Sequence, residues 1–386
     1  MRSVLGLAAL AALAMLSCGG GTSSSPPCFT PQPGSIYFNR DAVFVANTGS
    51  SSISAFQTID FTPGYTGGGV CGSPFPMNAP PTALGGGALS DMGLVVVSQA
   101  QKSISLYPVN ILTSVLSAPL FTITTRYTPV AVASVGAFFY VANAEGSVSA
   151  FRASANGTVT ELAGSPFPAG SGPVAIVAAD QSYPLPNLLY VANSQSNNIS
   201  AYSLDPNTFE PIPVAASPYA AGEGPASSVI APAMLPNPFG PRLVMVANKL
   251  SNNVSVFSSA GDGSLTPVPG SPFPAGAPPS SVGIATNLLP LKFAYVTIPG
   301  SNEIAGYSID GTSGALTPLA GSPFPAGVGP LSAVVADGYL FAANNGSNDL
   351  SVYSIDQSSG ALTPVAGSPF PVGQSPTAVL YFQVPQ

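Results

Sequence analysis

A five-residue phrase, Gly-Ser-Pro-Phe-Pro, recurs along the chain and constrains its fold more than any other feature. Intact copies occur at Gly72–Pro76, Gly164–Pro168, Gly270–Pro274, Gly321–Pro325 and Gly367–Pro371. Two diverged copies, at residues 117–121 and 216–219, fill the remaining gaps. A period of about 50 residues is typical of proteins in which each repeat buries its core against its neighbours. We therefore interpret the chain as one domain of seven repeats.

Each repeat has the pattern of four short β-strands. In the repeat that follows Pro168, apolar runs cover residues 173–177, 188–193 and 199–204, and a segment rich in proline covers residues 209–219. Short apolar runs separated by tight turns are typical of an antiparallel sheet. An aromatic ring recurs in every third strand, which predicts packing between neighbouring sheets. These rings belong to Phe56, Tyr107, Phe151, Tyr202, Phe257, Tyr307 and Tyr353.

The two ends of the chain complement each other. The first repeat starts at a second strand, Val43–Asn47, and a surplus inner strand, Pro376–Phe382, follows the last copy of the phrase. A ring of sheets loses its open edge when these two segments join in one sheet. The predicted fold class is therefore all-β: a seven-bladed β-propeller of four-stranded antiparallel blades, with the C-terminal inner strand completing the N-terminal blade.

The prolines of the phrase are expected in the outermost strand of each blade. Proline removes a backbone donor there and discourages edge-to-edge association. We interpret the phrase as edge protection plus a turn. A proline-rich docking site is the alternative.

Composition excludes several classes of function. Only 6% of the residues are charged, eight are basic, and the net charge is −7. Nucleic-acid binding needs clusters of Lys and Arg, which this chain lacks, so no nucleic-acid partner is expected. The chain contains no histidine, which excludes a histidine general base or metal ligand. We expect no metal and no cofactor, since no carboxylate-rich loop of calcium type occurs.

The N-terminal segment has the pattern of an export signal over residues 1–17. Arg2 supplies the positive start, and the apolar run Val4–Leu16 is too short to span a bilayer. Cys18 stands in a sequence that resembles a bacterial lipobox, and cleavage by the ordinary signal peptidase is the alternative. The lipobox predicts a lipid anchor at Cys18, a Gly/Ser/Pro-rich tether over residues 18–33, and a propeller over residues 34–386 at the cell envelope.

Two further cysteines remain, Cys28 and Cys71. An even pair in an exported protein predicts a disulfide between them. Two unreacted thiols are the alternative.

The repeat motifs resemble those of a known family. Val-Ala-Asn ends several second strands, and residues 348–356 and 359–365 carry Asn-Asp-Leu-Ser-Val-Tyr-Ser-Ile-Asp and Ser-Gly-Ala-Leu-Thr-Pro-Val. In these phrases the chain is similar to the lactonase-family and YVTN-type seven-bladed β-propellers. The resemblance implies either an enzyme related to the 6-phosphogluconolactonases or an exported propeller without known activity. The lack of histidine and the few basic residues depart from what an enzyme acting on a phosphorylated sugar needs.

A ligand is expected at the end of the propeller where the turns between second and third strands meet the connections between blades. Most of these inner connections are uncharged, and the exceptions carry Arg126 and Glu223. We predict that these two residues orient a carboxylate or a sugar, and solvated surface charges are the alternative. The full predicted ligand-binding set is Arg126, Glu223, Lys102, Glu145, Lys249 and Glu303.

The other recurring polar residues are interpreted as turn formers. Asp60, Asp205, Asp310 and Asp356 end third strands, and Asp91, Asp180 and Asp337 follow first strands. The asparagines that end second strands, Asn47, Asn143, Asn193, Asn248 and Asn344, are expected to close Asx turns.

The sequence thus favours a monomeric cell-envelope lipoprotein that binds or scaffolds a small molecule, glycan or protein partner. The alternative is a lactone hydrolase in which Glu223 activates water and Arg126 polarises the carbonyl. A purely structural surface protein is the third hypothesis.

Overall fold

The computed structural model describes residues 41–58, 69–87, 93–110, 112–179, 187–233, 242–284 and 293–383. Every regular element in these ranges is a β-strand, and no helix there is long and apolar enough to cross a bilayer. The strands form seven antiparallel sheets, the blades. The predicted lipid site Cys18, the tether and the leader lie outside the described residues.

The first three blades contain twelve consecutive strands, and one strand from the C-terminus completes the first of them. Blade 1 has β1 (Ala42–Asn47), β2 (Ser52–Gln57) and β3 (Phe75–Pro76); blade 2 has β4 (Ala83–Gly87), β5 (Gly93–Ser98), β6 (Ser103–Pro108) and β7 (Phe121–Thr124); blade 3 has β8 (Pro129–Val135), β9 (Phe138–Asn143), β10 (Ser147–Ala153), β11 (Val159–Glu161) and β12 (Phe167–Pro168).

The remaining blades repeat the arrangement of blade 3. Blade 4 has β13 (Pro173–Ala179), β14 (Leu188–Asn193), β15 (Asn198–Leu204), β16 (Pro211–Pro213) and β17 (Tyr219–Ala220); blade 5 has β18 (Pro225–Ala233), β19 (Arg242–Asn248), β20 (Asn253–Ser259), β21 (Leu265–Pro267) and β22 (Phe273–Pro274); blade 6 has β23 (Ser281–Ile284), β24 (Phe293–Ile298), β25 (Glu303–Ile309), β26 (Leu316–Pro318) and β27 (Phe324–Pro325); blade 7 has β28 (Pro330–Ala336), β29 (Tyr339–Asn344), β30 (Asp349–Ile355), β31 (Leu362–Pro364) and β32 (Phe370–Pro371).

The ring closes as the sequence predicts. The last strand, β33 (Pro376–Phe382), pairs with β1 and completes a four-stranded blade in the order β3-β2-β1-β33. Each inner strand contacts the inner strands of both neighbouring blades, and β33 contacts β28 on one side and β4 on the other. Neither β1 nor β33 is therefore left as an open inner edge, which confirms the predicted fold class.

The recurring phrase forms the outer edge of the blades. In blades 3 to 7 the outer strand is split in two, and both pieces pair with the third strand. A cis Ser–Pro peptide bond lies in the phrase or its equivalent in six blades. There the serine Oγ accepts the backbone N–H of a third-strand residue, for example that of Val256 at 2.9 Å from Ser271. The hydroxyl thus replaces the ladder bond that the interrupted strand cannot make.

The predicted aromatic rings lie buried between blades. Their hydroxyls add bonds that the sequence did not suggest: Tyr307 and Tyr353 each donate to the carbonyl of the last proline of the preceding blade's phrase, at 2.8 Å. Tyrosines of second strands reach in the other direction, and Tyr295 donates to the Gly360 carbonyl of the next blade at 2.8 Å. Packing and hydrogen bonds therefore both join neighbouring blades.

Candidate functional site

One end of the propeller, called here the loop face, is formed by the turns between second and third strands and by the connections between blades. The two kinds of segment are bonded to each other. The N–H of Ser194, in a turn of blade 4, donates to Gly172 in the connection that enters this blade, at 2.7 Å. The same connection also reaches back to the preceding blade, where Ala169 donates to Gly146 at 2.9 Å. At this connection the turns and the inner segment therefore lie together at one end of the propeller, where the sequence predicts them.

Buried asparagines fix the turns of this face. Asn193 is fully buried, and its Nδ2 donates to Ser200 Oγ at 3.0 Å and to Asn198 Oδ1 at 2.9 Å. Four other blades repeat the bond to a third-strand serine, through Asn47, Asn143, Asn248 and Asn344. In all five, Oδ1 accepts no hydrogen bond from a described residue.

The predicted Asx turns at these asparagines are therefore wrong. The physical reason is that the turn N–H groups already donate elsewhere: those of Ser194 and Gln195 go to carbonyls of the connection. The amide N–H groups of the asparagine meanwhile bind across the strand hairpin. The aspartate interpretation is confirmed, because Asp205, Asp310 and Asp356 each accept two backbone N–H groups within their turns.

The remaining aspartates of the sequence prediction lie at the opposite end of the propeller or outside the described residues. Asp337 and Gly338 have φ of 49° and 80°, which is the geometry of the predicted hairpin turn. Asp60, Asp91 and Asp180 lie outside the described residues.

Glycine is required where a connection crosses a buried asparagine. A Cβ on Gly170 would lie 2.7 Å from Asn193 Cγ, and one on Gly327 would lie 2.4 Å from Asn344 Nδ2. Gly222 and Gly373 hold the same position over their asparagines. The connection therefore lies flat against the turn, and a side chain at this position has no space in these four blades.

A second repeated bond ties each turn to the next connection. Three asparagines with left-handed backbone accept a backbone N–H from the following connection at 2.7–2.9 Å, through Oδ1. They are Asn197, Asn302 and Asn348, with φ between 54° and 60°. Asparagine suits this position because its short polar side chain tolerates positive φ.

Three of the predicted ligand residues come together where blades 2 and 3 meet. Lys102 lies in the turn of blade 2, and its carbonyl accepts the N–H of Thr125 at 2.7 Å. Arg126 follows in the same connection and is exposed, with its guanidinium 5.4 Å from the centre of the Tyr127 ring. Glu145 lies in the turn of blade 3 and binds the other end of this connection.

The carboxylate of Glu145 serves the backbone. It accepts the N–H of Thr128 at 2.9 Å and the Thr128 hydroxyl at 2.7 Å. Partial desolvation raises the pKa of Glu145, but these hydrogen bonds and the nearby charge of Lys102 outweigh it, so its pKa lies below the ordinary value. Glu145 therefore stays ionised at neutral pH and anchors the connection.

Glu223 and Lys249 form a second group on blade 5. The Lys249 N–H donates to the Gly224 carbonyl at 2.8 Å, and the Glu223 N–H donates to Ser251 Oγ at 3.0 Å. Both side chains are exposed. Among the described residues no hydrogen bond or ion pair engages the Glu223 carboxylate, so this acid faces solvent from a fixed backbone.

The joint contact of Arg126 and Glu223 with one ligand stays a prediction, because the two residues lie on different connections of the ring. Arg126 lies on the connection into blade 3 and Glu223 on the connection into blade 5, so a whole blade separates them. Glu303 is half-buried at the first position of β25 in blade 6, apart from both groups. The sequence placed all six residues on the loop face, but it did not show which of their backbone segments are bonded to each other.

The sequence did not predict a tyrosine that lies between two carboxylates. The Tyr381 hydroxyl contacts Asp337 Oδ2 at 2.8 Å and also Asp41 Oδ2, at the opposite end from the loop face. It joins the C-terminal strand to the residue before β1 in its own blade and to the hairpin turn of the neighbouring blade 7. Tyr381 follows an apolar run, and nothing in its sequence surroundings distinguishes it from a packing residue.

Metal chemistry finds little support in this part of the chain. Within the described ranges, no group of three or more Cys, Asp and Glu side chains is arranged to hold an ion. Cys71 is half-buried in blade 1, and Cys28 lies outside the described residues. The disulfide between them stays a prediction.

Comparisons with known proteins agree with the geometry. Residues 213–381 match the family model of the lactonase seven-bladed β-propeller. No curated protein matches the chain by sequence. The similarity that the repeat motifs indicate is confirmed for the C-terminal half of the propeller.

Solved structures match over nearly the whole chain. A candidate 6-phosphogluconolactonase from Bacteroides uniformis has 20% identity, covers 89% of this chain and 100% of its own, and has a TM-score of 0.71. A second such protein, from Bacteroides fragilis, has 16% identity, covers 91% and 99%, and has a TM-score of 0.72. The periplasmic gluconolactonase of Pseudomonas aeruginosa has 19% identity, covers 89% and 99%, and has a TM-score of 0.68. At these identities the likeness establishes the fold alone.

Proposed function

We propose that this protein hydrolyses the lactone of a sugar acid on its loop face. The observation that carries the proposal is the match of residues 213–381 to the lactonase family model, since this segment includes Glu223, Lys249 and Glu303. The loop face is also the end at which inner connections present polar groups close to the axis.

The chemistry assigns the base to a carboxylate. With no histidine in the chain, Glu223 is the acid best suited to accept a proton from water, because its backbone is fixed and its side chain faces solvent. Water then adds to the lactone carbonyl, the ring C–O bond breaks, and the proton returns from Glu223 to the leaving alkoxide. The product is a single hydroxy acid, which carries both the new carboxyl group and the freed hydroxyl group.

Lys249 is the group best suited to stabilise the negative charge on the carbonyl oxygen. Its backbone is bonded to Gly224, the residue after Glu223, at 2.8 Å. Arg126, which the sequence suggested for this role, lies on another blade and is less suited to it.

The test is the ring opening of glucono-δ-lactone, followed as acid release at pH 6.5 with the uncatalysed rate subtracted. We expect the full chain to accelerate it and Glu223→Gln to lower kcat by about 100-fold or more. Glu210→Gln is the matched control, since Glu210 lies at the opposite end in the turn after β15, and it should leave the rate unchanged. A rate equal to the uncatalysed one, or full activity in Glu223→Gln, would contradict the proposal.

A binding module without turnover is the second candidate. The observation in its favour is the separation of the best cation, Arg126, from the best base, Glu223. A sugar acid, glycan or protein partner would then bind the loop face unchanged. Stabilisation of the protein against heat by a sugar acid, in the absence of lactone turnover, would support this candidate.

We further propose that the protein is exported and held at the cell envelope by a lipid on Cys18. The sequence of residues 1–18 supports this. Metabolic labelling with a fatty acid should mark the full-length protein and not Cys18→Ser. Equal labelling of both would refute the anchor.

A further inference from the structure

We infer that Lys102 and Arg126, where blades 2 and 3 meet, form a binding site for the carboxylate of a sugar acid. The choice of ligand class rests on the proposed function. The existence of the site rests on where these two cations stand in the repeat, because both occupy positions that the other blades reserve for different residues.

Lys102 occupies the left-handed position of its turn, with φ of 46°. In blades 1, 4, 5, 6 and 7 the equivalent position holds Ser51, Asn197, Asn252, Asn302 and Asn348. A lysine gains nothing from this backbone conformation, whereas asparagine tolerates it. A residue that breaks a local rule of the fold without a structural gain marks a functional position.

The structural task of the missing asparagine is done by another residue. In blades 4, 6 and 7 the asparagine caps an N–H of the next connection. In the connection after Lys102, the N–H of Thr128 is instead capped by the Glu145 carboxylate at 2.9 Å. Lys102 is therefore not needed for this cap.

Arg126 breaks the second rule of the loop face. It occupies the connection position at which Gly170, Gly222, Gly327 and Gly373 have no space for a Cβ. Blade 3 accommodates a side chain because its turn is one residue shorter. Asn143 donates to Ser147, four residues later, whereas Asn193 in blade 4 donates to Asn198, five residues later. The side chain of Arg126 is thus placed on the surface facing solvent.

The two cations lie on two backbone segments that are hydrogen-bonded to each other. Thr125 is 8% exposed, and both its N–H and its hydroxyl bind at the Lys102 carbonyl, at 2.7 and 3.0 Å. The Thr125 hydroxyl also lies 2.8 Å from the Tyr127 carbonyl, and the Tyr127 ring lies beside the Arg126 guanidinium. A fixed backbone lowers the entropy lost when a ligand binds.

The charge of the group indicates a monoanion. Lys102 and Arg126 contribute +1 each and Glu145 contributes −1, which leaves +1. A carboxylate of charge −1 matches this value, whereas a phosphate monoester carries close to two negative charges at neutral pH. Arg offers the paired N–H groups that suit a carboxylate, and the Tyr127 ring offers an apolar face for a sugar.

The test is calorimetric titration of the full chain with gluconate at low salt. We expect binding to weaken by about 10-fold or more in Lys102→Asn and in Arg126→Gly, as for loss of one charge-assisted hydrogen bond. These variants restore the residues of the other blades, so their unfolding temperatures should be unchanged or higher. Arg152→Gln is the matched control: it removes an exposed cation at the end of blade 3 opposite the loop face, and it should bind gluconate as the parent protein does.

Three further ligands sharpen the result. Sorbitol, which lacks the carboxylate, should bind at least 10-fold more weakly than gluconate. Inorganic phosphate should not bind more tightly than gluconate. Digalacturonate carries the same group on each unit of a disaccharide, and tighter binding of it would identify a glycan as the source of the carboxylate.

Equal affinities of the parent protein and both variants for gluconate would overturn the site, and so would sorbitol binding as tightly as gluconate. Titration needs no turnover, so the result is independent of the lactonase assay. Loss of hydrolysis in Glu223→Gln with intact gluconate binding would support both proposals, whereas binding without any hydrolysis would refute only the proposed reaction.

Discussion

Replacing Gly327 with alanine is expected to destabilise the protein although it adds a single methyl group. The new Cβ would lie 2.4 Å from Asn344 Nδ2, whereas ordinary contacts begin at 3.4 Å, so the asparagine must move by about 1 Å. Asn344 is fully buried and donates to Asp349 at 2.6 Å and to Ser351 at 2.8 Å. Weakening one bond to a charged acceptor and one to a neutral acceptor costs about 2–4 kcal/mol.

The assay is urea unfolding followed by tyrosine fluorescence, with Gly311→Ala as the control. Gly311 has no positive φ and no atom within 4 Å of its ideal Cβ. Its replacement should therefore leave stability unchanged or raise it by about 0.5 kcal/mol through the unfolded state. Equal midpoints for Gly327→Ala and the parent protein would refute the argument that the connections must lie flat on the buried asparagines.

Three further predictions concern the blades. Ser271→Ala removes the acceptor of the Val256 N–H and should cost about 1–3 kcal/mol in the same urea assay, whereas Ser271→Thr, which keeps the hydroxyl, should cost less. Burial raises the pKa of Tyr190 to about 12, so the stability that its neutral form provides is complete below pH 10 and is lost as the pH rises towards 12. In thermal unfolding measured from pH 9 to 12, the unfolding temperature of Tyr190→Phe should therefore fall less steeply than that of the parent protein. Hydrogen bonds from Ser313 and Thr312 lower the pKa of Asp310, so the stability that its ionised carboxylate provides is present above about pH 4 and is lost below it. The difference in unfolding temperature between the parent protein and Asp310→Ala should therefore shrink as the pH falls from 6 to 2.

Most of the fold could be predicted from the sequence because the repeat states it many times. Seven copies of one strand pattern leave few alternatives, and the surplus strand Pro376–Phe382 fixes the closure. The split of the outer strand was not foreseen, although the serine of the phrase was visible. A serine that replaces a ladder bond has the same sequence as one in an ordinary turn, so only the backbone geometry distinguishes the two.

The site was harder to predict, because a repeated sequence pattern does not give the distance between side chains on different blades. Arg126 and Glu223 are the charged residues of otherwise uncharged connections, and the sequence showed this correctly. The order of the repeats also assigns them to the connections into blades 3 and 5, but it does not give the distance between their side chains. The importance of Lys102 depends on its φ of 46°, and that requires coordinates. Aligning the turn of blade 2 with those of blades 4 to 7 would have shown a lysine in the place of an asparagine.

The central claim is that this propeller receives a sugar acid or its lactone on the loop face, through the segments that carry Arg126 and Lys249. Hydrogen–deuterium exchange with and without saturating gluconate tests it most directly. We predict slower exchange at residues 125–128, with a smaller effect at residues 249–252 and no change in the hairpin turn at residues 336–339 at the opposite end. Protection of that hairpin with unchanged exchange on the loop face would contradict the account.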